Sequence, residues 1–329
     1  MTHYQKFSIF LLYKKKLATI HNKQGTIMFD NVTKSIGNTP LVKLKLDSQA
    51  QIYAKLEYLN PSGSIKDRSA LYMIEYAEKN KKLRPGGTII DASSGNHGIA
   101  VAMIGALKGY KVIITVSEKI STEKLQAIKA YGAKVIMCPA TKFIDDPQNY
   151  HAVAMKLNKK TPNSFMPNQY FNVTNAEGHY KSLGPEIWQQ TSGKITHFFA
   201  GAGTGGTVSG AGKYLKEKNP NIKIIAIDSN NSYYSTDGNP KPYKVEGIGI
   251  DFVSPVLDHK ILDEIIPVSD YDALAMAKRM ANKHGLLGGP SSGAVAYAAQ
   301  NYCMTLKRNS LAVAIFGDSG RAYLTKNYY

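Results

Sequence analysis

The chain has 329 residues, of which 43% are hydrophobic and 20% are charged, and its formal net charge is +17. This length suffices for two domains or one large α/β unit, and the composition is that of a globular protein. With only two cysteines, Cys138 and Cys303, a disulfide framework and a cysteine-rich zinc site are excluded, and a reducing, cytoplasmic location is favoured.

The positive charge has two interpretations. It suits an anionic partner such as nucleic acid, but the lysines are dispersed and no dense basic run is interleaved with aromatic residues. We therefore predict a solvated basic surface and a cleft for anionic small molecules, with no nucleic-acid partner. No run of about 18 apolar residues is present, so no membrane span is predicted.

Residues 1–27 carry five lysines and no acid. We treat them as a basic extension outside the fold. Three interpretations of this segment stay open: a transit peptide, a disordered tail and a start codon placed too early.

Apolar runs and amphipathic segments alternate along the rest of the chain. After a turn at residues 38–40 and an extended segment at 41–42, we predict strands at residues 52–56, 88–91, 111–116, 134–138, 196–200, 223–227 and 311–316. We predict helices at residues 69–80, 98–107, 123–131, 150–158, 177–191, 210–218, 270–284 and 292–301. Strands that alternate with helices indicate an α/β fold with parallel sheets covered on both faces.

Residues 60–68, Asn-Pro-Ser-Gly-Ser-Ile-Lys-Asp-Arg, place Lys66 between a hydroxyl-rich turn and a predicted helix. Taken alone, Lys66 reads as an ordinary solvated lysine. The alternative is a lysine that forms a Schiff base, which requires an ordered turn and partial desolvation of the amine. Three small-residue loops that each follow an apolar run favour the alternative: residues 93–98, 201–207 and 288–293. Together they can enclose one flat, phosphorylated cofactor.

Residues 201–206, Gly-Ala-Gly-Thr-Gly-Gly, match the G-x-G-x-x-G pattern, and Asp228 ends the next predicted strand. This arrangement supports an NAD-dependent oxidoreductase, with Asp228 as the ribose-binding acid. In either interpretation, backbone amides at a helix N-terminus hold a phosphate. A dinucleotide-binding fold usually has this loop near the start of its domain. The oxidoreductase interpretation also leaves Lys66 and Ser291 without a role. A monophosphate cofactor uses both.

Residues 60–68, 94–96, 203–207 and 288–293 together resemble the pyridoxal-phosphate β-family, fold type II, in the expected order. Within it the chain resembles the cysteine synthase and cystathionine β-synthase branch. Three segments are similar to the cystathionine β-synthase catalytic core: residues 244–252, 255–258 and 318–319.

The resemblance implies two domains, each with a mostly parallel sheet flanked by helices, as in tryptophan synthase β-like folds. Residues 28–72 and 180–329 would form a large cofactor-binding domain. Residues 73–179 would form a small, mobile domain that clamps the substrate. The resemblance also implies a homodimer that uses no metal.

The resemblance implies a role for each site residue. Lys66 would carry pyridoxal 5′-phosphate as a Schiff base and move the Cα proton of the substrate. Asn96 would bind the ring hydroxyl, and Ser291 would meet the pyridine nitrogen. From the residues alone, Ser291 is instead interpreted as the N-cap of the following helix, and both roles can hold at once. The 5′-phosphate is assigned to Gly203, Thr204, Gly205, Gly206 and Thr207. The amino-acid substrate is assigned to Ser93, Ser94, Gly95, His97, Gln169 and Gly247.

The implied reaction is a β-replacement on serine, O-acetylserine or O-phosphoserine through an aminoacrylate. Sulfide or a thiol such as homocysteine would add at Cβ, giving cysteine or cystathionine. Three positions depart from the branch. His97 follows a Ser-Ser-Gly-Asn run that resembles serine and threonine dehydratases, so an eliminase is the alternative, and His97 is either a titrating group beside the carboxylate or a structural residue. Ile250 stands where cystathionine β-synthases commonly carry tyrosine, and Pro290 before Ser291 is unusual.

Overall fold

The computed structural model describes residues 29–141 and 146–329. The predicted basic extension at residues 1–27 lies outside the described residues. Within the described part of the chain, the strands form two separate sheets. The strands are β1 (Leu41–Leu44), β2 (Gln51–Leu56), β3 (Thr88–Ala92), β4 (Lys111–Ser117), β5 (Lys134–Cys138), β6 (Ser164–Phe165), β7 (His197–Gly201), β8 (Lys223–Ser229), β9 (Glu264–Val268) and β10 (Leu311–Phe316).

Helices pack on both sheets. They are α1 (Lys66–Lys79), α2 (Asn96–Leu107), α3 (Thr122–Ala130), α4 (Tyr150–Lys160), α5 (Thr174–Lys181), α6 (Leu183–Gln190), α7 (Gly206–Lys218), α8 (Asp270–His284) and α9 (Pro290–Cys303). Helix α2 has no charged residue apart from His97 and is buried along most of its length, as expected for a helix that is apolar on every side. Short 3₁₀ turns lie at Val32–Ser35, Glu57–Leu59, Tyr234–Thr236, His259–Ile261 and Gly320–Lys326.

The larger sheet has the order β1-β2-β10-β7-β8-β9, in which β1 is antiparallel to β2 and the other neighbours are parallel. The smaller sheet has the order β5-β4-β3-β6 and is parallel throughout. Phe198 and Phe199 on β7 are both fully buried and belong to different core clusters. Since neighbouring strand residues point to opposite faces, this sheet is covered on both sides. The predicted α/β fold with two largely parallel sheets is confirmed.

The carboxyl ends of parallel strands gather the loops that follow them. Residues 93–95, 202–205 and 317–319 directly follow β3, β7 and β10. Backbone bridges join Ser64 to Asp318 and Gly288 to Ser319, which brings the Lys66 turn and the start of α9 to the end of β10. The fold therefore collects all the loops that the sequence singled out.

Three of the helices and strands differ from the sequence predictions, and one of them is the two-residue strand β6, which was not predicted. The helix predicted at residues 177–191 is two helices, α5 and α6, because Pro185 has no N–H to offer the carbonyl of Lys181 and its ring clashes with that carbonyl. Strand β9 was not predicted. It contains Pro267 and pairs only with β8, at the edge of the sheet, where proline is tolerated.

Residues 36–329 form one compact unit, and the segment 29–35, which contains the 3₁₀ turn Val32–Ser35, is assigned to a separate one. The strands of the smaller sheet all lie within residues 73–179. The division into a fixed domain and a mobile one stays a prediction. None of the helices within residues 29–141 and 146–329 combines the length and the apolar character that crossing a membrane requires.

Candidate active site

Lys66 is the first residue of α1, three residues earlier than the predicted helix start. Two hydrogen bonds hold the turn before it. Ile65 N donates to the carbonyl of Gly317 at 2.8 Å, and Ser62 N donates to the side-chain Oδ2 of Asp67 at 2.8 Å. Burial lowers the pKa of Lys66 to about 8, although the nearby Asp318 carboxylate opposes this shift. A sizeable fraction of the amine is therefore neutral near physiological pH, as Schiff-base chemistry requires.

The glycine loop connects β7 to the 13-residue helix α7. Gly205 has φ +87°, and a Cβ there would lie 2.6 Å from Cβ of Leu257, so both conformation and space require glycine. Gly205 is also the N-cap of α7 and has no side chain that could cap this helix end. Thr204 Oγ1 accepts a bond from the amide of Gly206 at 3.3 Å. Uncapped amides at a helix N-terminus form an anion-binding site.

An inner cavity of about 50 Å³ brings together four distant parts of the sequence. Lys66, Asn96 and Ser291 line it with the glycine loop. Ser291 is the second residue of α9, whose N-cap is Gly289, so the prediction that Ser291 caps this helix was wrong. Pro290 occupies the first helical position, where its missing N–H costs nothing.

An outer cavity of about 290 Å³ shares Lys66, Asn96 and Gly203 with the inner one. It is lined by the run from Ser93 to His97, by Gln169 and by Gly247. A Cβ at Gly247 would lie 3.0 Å from Oγ of Ser291, and φ there is +95°, so this position is also restricted to glycine. The outer cavity lies at the N-terminus of α2, where an anionic group is favoured.

The two serines ahead of α2 already hold backbone amides. Ser93 Oγ accepts bonds from the amides of Gly95 and Gly98, at 3.3 and 3.0 Å. Ser94 Oγ accepts a bond from the amide of Ser117 at 2.7 Å. Because a hydroxyl that accepts can still donate its hydrogen, both serines retain a donor for a carboxylate.

The predicted site residues therefore lie at two adjoining cavities, with one exception. Gly206 is not among the described residues that line either cavity. A Cβ at Gly206 would lie 2.2 Å from Oδ1 of Asn175, so this glycine permits close packing of α7, and its predicted contact with the phosphate stays a prediction. Ile250, which the sequence placed near a second-substrate site, is buried and lies outside the described lining of both cavities.

Comparison with known proteins identifies the cofactor that such an arrangement holds. Residues 32–318 match the model of a family described as pyridoxal-phosphate dependent enzyme. The chain belongs to the pyridoxal-phosphate-dependent enzyme family. Pyridoxal 5′-phosphate is its cofactor, and the uncapped α7 N-terminus, the Lys66 amine and the Ser291 hydroxyl around one cavity fit the phosphate, the aldehyde and the ring nitrogen of that molecule.

Several members of this pyridoxal-phosphate family are close in sequence. The chain is 43% identical over 319 residues to a cystathionine beta-synthase of Apis mellifera, which covers 94% of this chain and 63% of that protein. It is 42% identical over 304 residues to a cysteine synthase of Staphylococcus aureus, covering 91% of this chain and 97% of that protein. The chain thus spans less than two thirds of the first relative and nearly all of the second.

A solved structure of an O-acetylserine dependent cystathionine beta-synthase from Helicobacter pylori superposes with a TM-score of 0.87 at 36% identity. The superposition covers 92% of this chain and all of that one. These similarities confirm fold type II and the cysteine synthase and cystathionine β-synthase branch of pyridoxal-phosphate enzymes.

Polar residues at the cavity rim, to which no local sequence pattern assigns a role, connect distant segments. Asp318 is buried and accepts a bond from Nδ2 of Asn96 at 2.7 Å and another from the hydroxyl of Tyr323. Lys124 Nζ pairs with Glu246 and lies 4.3 Å from the centroid of the Tyr323 ring. These contacts join α2 and α3 to the C-terminal part of the chain, more than a hundred residues away, so no local pattern marks them.

Proposed function

We propose that this enzyme catalyses a β-replacement on a serine-type amino acid, in which sulfide or a thiol takes the place of the substituent at Cβ. The observation that supports this proposal is the single cavity shared by the Lys66 amine, the anion-binding glycine loop and Ser291, with the α2 N-terminus opening onto the adjoining cavity. The printed names of its relatives, cysteine synthase and cystathionine beta-synthase, fit the same chemistry.

Each residue in the site has a proposed task. When bound, pyridoxal phosphate supplies an electron-withdrawing ring that acidifies the Cα–H of an amino acid. Lys66 would hold the cofactor and would take up the Cα proton of the substrate, for which its lowered pKa of about 8 suits it. Gly203, Thr204, Gly205 and Thr207 hold the phosphate, and Asn96 turns its amide from Asp318 to the ring hydroxyl.

Ser291 favours elimination at Cβ over reactions that need a long-lived carbanion. A neutral hydroxyl beside the pyridine nitrogen cannot hold a proton on that nitrogen as a carboxylate would. The ring is then a weaker electron sink. A leaving group at Cβ removes the negative charge promptly, and this is what serine-type substrates provide.

Substrate carboxylate binding is proposed for the α2 N-terminus. Ser93, Ser94, the Gly95 backbone and His97 surround this end of the cavity, and Gln169 reaches it from a second segment. Gln169 is 6% exposed, and its Oε1 has no hydrogen-bonding partner among the described residues. An unpaired buried acceptor at the cavity wall suits a donor group of the ligand, whereas a carboxylate would need the Nε2 donors of Gln169.

We propose that residues 73–179 move as a unit and close on the substrate. Glu123 and Lys124 on α3 belong to this range and contact Thr325 and Glu246, which lie outside it. Such contacts across the cavity rim exclude water from the bound substrate once they form.

A homodimer in the cytoplasm is part of the proposal. Cys138 and Cys303 are both free and buried, which suits a reducing compartment. The dimer rests on the family resemblance, and the mass of the protein in solution, measured by light scattering after gel filtration, tests it.

The proposed reaction is tested by supplying the cofactor-loaded enzyme with serine, O-acetylserine or O-phosphoserine, each with sulfide or homocysteine. Cysteine or cystathionine, identified by mass spectrometry, is the expected product. Pyruvate and ammonia formed without consumption of either nucleophile would instead establish the eliminase, which the His97 position favours. A Lys66→Ala variant serves as the control and should form none of these products.

A further inference from the structure

Asp91 and His97 form a buried pair beside the outer cavity. Asp91 lies on β3 and is 1% exposed, and His97 is the second residue of α2 and is also 1% exposed. Oδ2 of Asp91 lies 3.5 Å from Nε2 of His97. Neither atom has another partner among the described residues, and neither does Nδ1 of His97. Unpartnered buried polar atoms are rare in folded proteins, and an unpartnered Nδ1 in a pair that adjoins a cavity indicates a site for a ligand.

The other carboxylate oxygen of Asp91 is fixed. Oδ1 accepts a bond from the backbone amide of Asn168 at 3.2 Å. Oδ2 is therefore the oxygen turned to His97, and Nε2 is the ring nitrogen turned to Asp91. His97 lines the outer cavity, and Nδ1 is its ring nitrogen that is not turned to Asp91 and has no partner among the described residues.

The titratable groups near this pair are Lys66, which faces His97, and Tyr150 and Tyr170, which face Asp91. Burial raises the pKa of Asp91 to about 7. Burial, with a smaller contribution from the positive Lys66, lowers the pKa of His97 to about 3. Both shifts favour the neutral form of each side chain, which has one proton on Asp91 and one on the imidazole.

The position of the imidazole proton decides what His97 can bind. With Asp91 ionised, the proton of a neutral imidazole belongs on Nε2, between the two residues, and Nδ1 presents a lone pair that repels a carboxylate. A carboxylate ligand needs a hydrogen on Nδ1. Nε2 then becomes an acceptor, and Asp91 must itself carry a proton to donate to it.

We propose that Asp91 and His97 bind the substrate carboxylate as a proton-sharing pair, which takes up one proton from solvent as the carboxylate binds. The inference rests on the proposed function, since it assigns the carboxylate to the α2 end of the cavity. His97 is the group that touches the substrate, and Asp91 is a positioning residue that sets the tautomer. The proton uptake keeps two carboxylates from being charged side by side in a buried space.

The substitution Asp91→Asn separates this account from a merely structural role. The asparagine Oδ1 accepts from Asn168 as the aspartate does, so its NH₂ occupies the Oδ2 position and donates to Nε2. His97 is then held permanently with its hydrogen on Nδ1. The variant should bind the carboxylate without taking up the extra proton.

The experiment is calorimetric titration of the cofactor-loaded enzyme with L-alanine, in buffers of different ionisation enthalpy across a range of pH. Alanine has the carboxylate and amino group of serine and no leaving group at Cβ. The protons gained or lost by alanine's own amino group are the same for all variants. The difference in proton uptake between variants therefore reports the Asp91–His97 pair alone. Near pH 8, wild type should take up about one proton more than Asp91→Asn, and this difference should vanish near pH 6, where Asp91 is already protonated.

The dissociation constants for alanine test the same proton uptake. Above about pH 7, the ratio of the wild-type Kd to the Asp91→Asn Kd should rise by up to about tenfold for each pH unit. His97→Ala should weaken alanine binding about tenfold or more and abolish the additional uptake. Asp228→Asn removes a buried carboxylate at the end of β8, outside the described lining of both cavities, and should leave the uptake as in wild type.

Equal proton uptake in wild type and Asp91→Asn, or a Kd ratio that does not change with pH, would overturn the inference. The pH dependence of wild type alone tests it if Asp91→Asn does not fold. Failure of this inference is distinguishable from failure of the proposed function, because alanine binding requires no chemistry at Cβ. An enzyme that forms cysteine but shows no additional proton uptake refutes the pair and leaves the reaction standing.

Discussion

The substitution Glu57→Gln should destabilise the protein by about 3 kcal/mol, because it removes one of the two carboxylates that pair with the buried Arg68 next to the Lys66 turn. Glu57 is fully buried and accepts bonds from Nε and Nη2 of Arg68 at 2.7 and 2.8 Å. Although burial alone would raise it, the Arg68 guanidinium brings the pKa of Glu57 down from 4.5 to about 2. At 1.36 kcal/mol per unit, this shift corresponds to about 3 kcal/mol of stability at neutral pH.

The pH dependence of the stability difference between wild type and Glu57→Gln is the sharper test. Because the folded pKa is depressed, the stabilisation is fully present above pH 4.5 and is lost as the pH falls through the folded value. Urea unfolding should therefore show a difference between wild type and Glu57→Gln of about 3 kcal/mol at neutral pH and about 1 kcal/mol near pH 3. Glu264→Gln, at an exposed position on β9, is the control and should change stability by less than about 0.5 kcal/mol. A loss below about 1 kcal/mol at neutral pH, or one that does not shrink in acid, would refute the reasoning.

Two further substitutions test the cofactor loop and the cavity rim. Gly205→Ala should weaken retention of pyridoxal phosphate on dialysis by about tenfold or more, because the new Cβ would collide with Leu257. Gly109 also has a positive φ, +74°, but open space around it, so Gly109→Ala should lose stability without losing cofactor, and equal retention in both variants would contradict the prediction. Lys124→Met removes the pairing with Glu246 and should raise KM for the amino acid about tenfold with a smaller effect on kcat. An unchanged KM would show that this contact does not help to close the site.

Local patterns predicted the elements that position the chemistry. The glycine loop, the turn at Lys66 and the Ser-Ser-Gly-Asn run each combine small residues with a strand–helix junction, and such junctions gather at the carboxyl ends of parallel strands. The predicted helix bounds were less accurate at helix ends that have unusual capping residues. Helix α9 begins with proline after a glycine N-cap, so Ser291, which looks like a cap in the sequence, is already inside the helix.

The contacts between distant segments could not be predicted from local patterns. Asn96 and Asp318 are 222 positions apart, and Lys124 and Tyr323 are 199 apart. Their meeting depends on the order of strands in the larger sheet, where β10 is inserted between β2 and β7. Asp91 illustrates the same limit, because it reads as the last polar residue of a strand until the fold places its carboxylate against His97.

The account depends on the covalent bond between Lys66 and pyridoxal phosphate. Reduction of the yellow enzyme with borohydride, followed by peptide mapping with mass spectrometry, tests this bond directly. The reduced cofactor should be attached to the peptide that contains Lys66, and Lys66→Ala should carry no label. A label on another lysine, such as Lys124 at the cavity rim, or a wild-type enzyme that takes up no cofactor, would contradict the account.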